Sequence, residues 1–376
     1  MAGRRGRGGR EAERLIRAFL ALPPKVKVVV GVVLAVGVVV SLVAQSRRPQ
    51  PVAGRPVPPG TVVFMFWNVE NLFDDRDDRR NSTDDPYDDW FAGDAGARRL
   101  KYDHLAEVIL RVNGGNGPDI LACCEVESVR AAELLRDTLN ARLPAGVPRY
   151  EFVAMRELAA NAGRYIAPCV ISKLPLDEGR TRLLGSRNLR ILETRVVANA
   201  ADLTLVASHW TSQLSDDGKR ESRGRDRYAE VIYAEYERVV GADPSADFLV
   251  CGDFNDTPES GPVAGELHMT ADRAAVVPGV VPPRLFGLLS GKPPAEYGTL
   301  VYNGRPLIYD QIGVSAGMLD GRGWGCDPDS VRVPTEGMTR GGRRPWRFGN
   351  QSGPPPGGRG YADHFPVVVN LRLAGP

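Results

Sequence analysis

Cysteine is scarce: five residues scattered through a 376-residue chain, at positions 123, 124, 169, 251 and 326. They lack the paired spacing of a structural zinc site and the density of a small disulfide-stapled domain. Four of them sit in apolar strand-like runs, where a thiol serves as a small buried hydrophobe. Histidine is rarer still, with four in the chain, so the places where it occurs carry information. Net charge is also nearly absent, at +2, but this balance hides a split. Residues 1–60 hold eleven Arg and Lys against Glu11 and Glu13, or +9, which leaves −7 for the rest. A domain at −7 is not a general polyanion sponge, so contact with nucleic acid or lipid phosphate must rest on local basic clusters and a bound cation.

Long hydrophobic runs are missing except for one. Val28–Ala44 is uncharged and rich in valine, and at 1.5 Å per residue it approaches the roughly 30 Å hydrocarbon core of a bilayer. Eight basic residues precede it and only Arg47 and Arg48 follow closely, so the positive-inside rule puts the N-terminus in the cytoplasm. The reading is a basic cytoplasmic tail at 1–25, a transmembrane anchor at 26–45, a Pro/Gly-rich linker at 46–60 and a folded unit at 61–376. A cleaved signal peptide is the rival, which would make the protein secreted; about 25 residues before the apolar run is long for one. A buried soluble helix fits least, because valine is a poor helix former in water.

Short apolar runs bounded by turn residues predict strands at 62–67, 120–124, 166–171, 203–208, 248–251, 308–314 and 367–371. Helix-period stretches lie at 100–112, 131–142 and 228–240. Together they predict a layered α/β domain with sheets packed together and helices outside. Two loops, the Asp-rich 74–89 and the Arg/Gly/Pro-rich 339–360, are expected to contribute nothing to the core. The first is expected to be a solvated loop near the mouth of the site rather than a calcium loop, whose Gly-punctuated spacing it lacks.

Polar, ionisable residues follow the apolar strands five times over, where sites form in α/β sheets. Phe64-Met65-Phe66-Trp67 leads to Asn68 and Glu70, and Ile120–Cys124 leads to Glu125. Ser208-His209 ends a third run, Gly252-Asp253-Phe254-Asn255 a fourth, and Asp310-Gln311-Ile312 combines with Asp363-His364-Phe365-Pro366 in the fifth. A hard cation such as Mg²⁺ takes a few carboxylate or amide oxygens and keeps several waters, which Asn68, Glu70 and Glu125 offer. Phosphoester cleavage then needs an activated water, stabilised charge on the phosphate and a protonated leaving group. Asp253 with Asn255 suits the first task, and His364 held by Asp310 the second. A lone strand-end Asp or His is more often a turn or structural residue; the joint occurrence is what counts.

In that order the motifs resemble those of the endonuclease/exonuclease/phosphatase family, also called DNase I-like, across nearly all of residues 61–372. The resemblance implies a four-layered α/β sandwich, two packed mixed β-sheets flanked by helices, here preceded by a single N-terminal transmembrane helix. It implies a divalent metal, Mg²⁺ with Mn²⁺ or Ca²⁺ as alternatives, gripped by Glu125, with Asn68, Glu70 and Asp363 beside it. It implies Asp253 and Asn255 around the nucleophilic water, His209 near the phosphate or leaving group, and Asp310 orienting His364. Two departures stand out: the strand at 166–171 carries Ala167 and Pro168 in place of an acidic partner for His209, and the tyrosine of the DNA-repair branch has no clear match.

Arg190, ahead of a strand at 191–197, is a candidate phosphate contact. Arg340, Arg343, Arg344 and Arg347, with Trp346 among them, offer a backbone-binding and base-stacking cluster or a plain solvated face. Lys219, Arg220, Arg223, Arg225 and Arg227 form a second such cluster. The expected function is a metal-dependent phosphodiesterase displayed outside the cytoplasm on the cell membrane, with DNA or RNA as the leading substrate. A phospholipid or sugar-phosphate phosphoesterase is the alternative within this chemistry, and a non-catalytic binding module the alternative outside it. A lipid-acting enzyme is expected to carry an exposed apolar hairpin, and the sequence shows no clear one. Besides substrate and membrane no partner is indicated, and a monomer is expected.

Overall fold

The hydrophobic run that opens the folded unit becomes β1, Gly60–Leu72, and nearly all of it is buried on both faces. Phe64 and Phe66 point one way and Val63, Met65 and Trp67 the other, each set joining a different core. Strands covered on both faces read as continuous apolar runs rather than alternations, which is why these stood out in sequence. The computed structural model describes residues 60–80, 82–158, 164–199, 201–213 and 223–374. The basic tail, the anchor, the cleavage alternative and the linker up to residue 59 lie outside the described residues. Among the described residues no helix is long and apolar enough to cross a membrane.

Two mixed sheets form the centre. In the first, β1 runs parallel to β2, Ile120–Val126; outside them lie β15, Val367–Leu373, with β14, Trp324–Arg332, and β4, Ala167–Ser172, with β3, Phe152–Met155. In the second, β7, Ala201–His209, runs parallel to β8, Phe248–Asp253. Next to β7 come β6, Ile191–Ala198, and β5, Arg182–Leu183, and next to β8 come β13, Asp310–Val314, β10, Leu285–Gly287, and β9, Met269–Thr270. The sheets face each other through Phe64, Phe66, Leu205, Leu249, Ile312 and neighbours, all fully buried. Each such large side chain contributes about 1.5–3 kcal/mol of burial.

Helices cover the outer faces. After α1, Asp85–Gly93, come α2, Ala95–Arg111, and α3, Val129–Arg142, and these two pack Leu105, Ile109 and Leu135 on the back of the first sheet. Farther along, α4, Arg223–Ala242, packs Ile232 and Tyr236 on the back of the second. The capping is local: the Asp94 carboxylate accepts from Ala97 N–H and the Ser128 hydroxyl accepts from Ala131 N–H, both at 2.9 Å. The short α5, Pro294–Tyr297, leads to a hairpin of β11, Leu300–Tyr302, and β12, Arg305–Leu307. The order helix, sheet, sheet, helix is the sandwich that the sequence predicts.

The two loops set aside as unable to make core are a correction. Phe73, Tyr87, Trp90, Phe91, Ile166 and Phe348 form a fourth apolar cluster, with Tyr87, Trp90 and Phe91 on α1 and Phe348 in the Arg-rich loop. Arg359 lies over the rings of Trp90 and Phe348 at 4.8 and 5.2 Å. Nor is 74–89 simply solvated: Asp74, Asp84 and Asp88 are buried, and the Asp84 carboxylate accepts from Tyr165 N–H at 2.7 Å. Short carboxylates that tie backbone N–H groups let an acidic segment fold inward, and Tyr87, Trp90 and Phe91, at helical spacing on α1, supply its core.

Candidate active site

Both parallel pairs end on the same rim of the sandwich, and the antiparallel β13 begins there, so Asp310 sits opposite Asp253 in the ladder. Asn68 lies in β1 where its pairing with β2 shifts register, Glu125 lies near the end of β2, His209 ends β7 and Asp253 ends β8. The backbone turns sharply there: Glu70, Asn71, Glu125 and Asn255 all have φ between 49° and 63°, a left-handed conformation that costs a non-glycine residue energy and collects at functional sites.

The side chains interlock across the two sheets. The Asn68 amide donates to Glu125 Oε1 at 3.1 Å and to Asp253 Oδ2 at 3.0 Å, while its carbonyl accepts from Glu70 N–H. The second Glu125 oxygen accepts from Asn71 N–H at 2.9 Å, and Asp253 Oδ1 accepts from Asn255 N–H at 2.9 Å. His364 Nδ1 lies 2.6 Å from Asp310 Oδ2, and its Nε2 lies 3.8 Å from Asp253 Oδ2. His209 Nε2 stands 3.9 Å from Glu125 and 3.8 Å from Asp253. Asn255 donates its amide to Trp210 O, which fixes the turn after β8.

The two histidines have opposite electrostatics. Burial pushes His209 down to about 4, so it is neutral at pH 7. Burial pulls on His364 too, but the carboxylates of Asp310 and Asp253 outweigh it and hold that imidazole well above its ordinary range, charged at neutral pH. Burial and the nearby Asp310 raise Asp253.

All of this opens on a cleft of about 1090 Å³, lined among others by Glu125, His209, Asp253, Asn255, Asp363 and His364. Arg190, Arg344 and Arg347 also line it. Arg190 is placed by the bond from His209 N–H to its carbonyl, and its buried Nε has no hydrogen-bond partner among the described residues. Asp363, half-exposed, lies 3.3 Å from Arg347.

Asn68 and Asp310 stand behind the cleft wall, bonded to residues that line it, whereas Glu70 turns away. It does not line the cleft, and its oxygens accept from Arg347 Nε at 2.7 Å, Phe348 N–H at 2.9 Å and Gly349 N–H at 3.2 Å. It anchors the Arg-rich loop. Arg225 likewise is buried against Asp256 at 2.9 Å, whereas Arg227 pairs with Glu230 and lines the cleft. Lys219 and Arg220 lie outside the described residues.

Several site residues had no signal in the sequence. Arg164 donates to Asn71 Oδ1 at 2.8 Å and lies 4.9 Å over the Tyr87 ring at the cleft wall. Lys101, fully buried on α2, donates to Tyr361 O, and burial lowers it to about 8 despite the attraction of Glu70, Asp363 and Glu125. It reads as a surface lysine until the Arg-rich loop is seen to close over it.

The donor set fits a hard divalent cation. Glu125, Asp253, Asp310 and Asp363 bring carboxylates to one place, and buried Oδ1 atoms of Asp310 and Asp363 have no hydrogen-bond partner among the described residues. Asp253, Asp310 and His364 also have ligand atoms within 4.8 Å of one another, but the short Asp310–His364 bond already uses His364 Nδ1.

A sequence model of the Endonuclease/Exonuclease/phosphatase family matches residues 65–365, the span that carries every one of these side chains. The chain belongs to that family. It is accordingly a hydrolase of phosphoester bonds. No curated protein matches the sequence. Among solved structures, sphingomyelinase C from Streptomyces griseocarneus is similar at 14% identity and a TM-score of 0.49, over 83% of this chain and 99% of that one. A family protein from Bacteroides thetaiotaomicron is similar at 13% identity and 0.48, over 85% and 100%. D. rerio TDP2 complexed with single strand DNA product is similar at 14% identity and 0.48, over 83% and 99%.

Proposed function

We propose that the protein is a Mg²⁺-dependent phosphodiesterase that cleaves nucleic acid, presented outside the cytoplasm by the apolar segment at 26–45. The observation that carries the reading is the linkage of Glu125, Asn68 and Asp253 across the two sheets, with the Asp310–His364 pair beside it. The charge asymmetry around the apolar segment supports the location.

Glu125 and Asp363 would hold the cation, which supplies positive charge to phosphate oxygens and lowers the cost of ionising water. Asn68 acts as a positioning residue, because its amide keeps the Glu125 and Asp253 carboxylates side by side. Asp253, destabilised as an anion by burial, is the base that takes a proton from the attacking water, and Asn255 fixes its orientation. His364, kept charged by Asp310, stabilises the negative charge that builds on the phosphate. His209 is neutral, and its Nε2 faces the same point as the carboxylates, where it donates to a phosphate or leaving-group oxygen. Arg190, Arg344 and Arg347 hold flanking phosphate. A phospholipid substrate is a second reading with one observation in its favour: the β11–β12 hairpin stands at the cleft mouth with Tyr302 exposed.

The test is hydrolysis by the full-length chain of plasmid DNA, RNA, bis-nitrophenyl phosphate and sphingomyelin, with Mg²⁺ or EDTA, beside Glu125→Ala and His364→Ala. The expected result is a metal-dependent rate on DNA or RNA that both substitutions abolish. A rate confined to sphingomyelin selects the lipid reading, and no metal-dependent rate on any substrate leaves a binding module.

A further inference from the structure

Beyond the cleft, the Arg-rich loop encloses a second groove of about 560 Å³, lined by Arg340, Arg344, Trp346, Arg347, Asn350 and backbone. Arg344, Pro345 and Arg347 line both spaces, so the groove continues the cleft away from the reactive centre. No Asp or Glu lines it. Arg340, Arg343 and Arg344 are exposed, and among the described residues none of them pairs with a carboxylate. On a folded unit whose sequence sums to −7, this local excess of positive charge stands out.

The loop is also held in shape. Glu70 ties Arg347 and two backbone N–H groups, Arg359 donates to Phe348 O and Asn350 O, and Trp346 Nε1 and Arg340 both donate to Gly358 O at 3.1 Å. A basic groove fixed in advance binds an extended polyanion without the ordering cost of a flexible loop.

We propose that this groove carries the strand on one side of the scissile phosphate, so that the substrate is a single-stranded nucleic acid several nucleotides long. The proposal deepens the phosphodiesterase reading and rests on it. Positive charge beside a half-buried tryptophan is the combination that tracks single strands, which have a flexible backbone and exposed base faces. A lipid surface fits this groove less well, because none of the large apolar side chains exposed among the described residues lines it; the exposed Tyr302 belongs to the hairpin at the cleft mouth.

The experiment measures kcat/KM of the full-length enzyme on bis-nitrophenyl phosphate and on oligodeoxythymidylates of two, four, eight and twelve nucleotides, for the wild type, Arg340→Gln and Arg340→Lys. Arg340 lines the groove but not the cleft. The expected wild-type profile rises about tenfold or more from dimer to octamer. Arg340→Gln removes about threefold or more of that gain, leaves bis-nitrophenyl phosphate unchanged, and lowers the salt slope for the octamer by about 0.7, the value for one single-strand phosphate contact. Arg340→Lys restores most of the gain and the slope, which separates charge from loop folding. A flat length profile with intact bis-nitrophenyl phosphate activity overturns the groove and spares the phosphodiesterase reading. So does failure of lysine to restore the gain, or competition by phosphatidylglycerol vesicles that Arg340→Gln weakens as much as octamer binding. If no substrate is cleaved, the phosphodiesterase reading falls, and anisotropy of a labelled octamer in EDTA still decides whether Arg340 holds the strand.

Discussion

Replacing Asp310 by Asn isolates the charge of one buried carboxylate while keeping its shape. Asp310 is fully buried, and its Oδ2 meets His364 Nδ1 at 2.6 Å. The amide oxygen still accepts from Nδ1–H, so the fold survives with a modest change in melting temperature. What disappears is the main attraction that opposes burial and keeps His364 charged. A hydrogen bond to a charged group is worth about 1.5–3 kcal/mol. At about 1.4 kcal/mol per factor of ten, its loss in the transition state lowers kcat by roughly 10- to 150-fold. The pH dependence follows from the direction of the shift. Because the folded state raises His364 above its unfolded value of about 6.5, the pair contributes its full stability below that pH and loses it as pH rises through the raised value. Activity that requires charged His364 has its alkaline limb there, and Asp310→Asn moves that limb toward acid. The assay is kcat/KM on bis-nitrophenyl phosphate from pH 5 to 10 at saturating Mg²⁺, with melting curves alongside. A variant within twofold of wild type at pH 7, with an unmoved alkaline limb, would refute the role of the pair.

Two other substitutions separate structural from chemical acids. Glu70→Gln removes the anion that Arg347, Phe348 N–H and Gly349 N–H share, and is expected to cost about 2–4 kcal/mol in denaturant unfolding and to raise KM, with the Mg²⁺ concentration for half-activity unchanged; a shift in that concentration with no loss of stability makes Glu70 a ligand instead. Arg225→Ala leaves Asp256 buried without its partner and is expected to cost about 3–5 kcal/mol, with no change in the salt dependence of oligonucleotide cleavage. A lower salt slope at full stability would return Arg225 to the substrate.

The sequence made the two sheets legible because their central strands are apolar on both faces, and it made the rim legible because a polar residue at the end of such a run is conspicuous. Asn68, Glu125, His209, Asp253, Asp310 and His364 were all found this way. Neighbours of like type were not separated. Glu70 lies two residues beyond Asn68 and looks equivalent on paper, yet the left-handed turn at Glu70 and Asn71 directs it to the backbone of a loop nearly 280 residues later. Arg225 and Arg227 read as one basic cluster, and the helix sends one inward to Asp256 and leaves the other on the cleft wall. Residues that the fold recruits from aperiodic loops, such as Arg164 and Phe348, leave no periodic trace at all.

The layout of the rim explains why both sheets are needed. One sheet alone sets its strand-end carboxylates along a single edge, where each would be solvated separately. Here Glu125 comes from one sheet and Asp253 from the other, and mutual repulsion would push them apart. The Asn68 amide, donating to both, offsets part of that repulsion and the charged His364 offsets more, yet Asp253 stays raised by burial. The folded protein therefore gathers acidic groups from both sheets at one rim, with burial and Asp310 acting against the Asp253 anion. A divalent cation held by Glu125 and Asp363 would bring positive charge beside these groups and lower that electrostatic cost. It follows that Mg²⁺ should raise the melting temperature of the wild type and raise that of Glu125→Gln less.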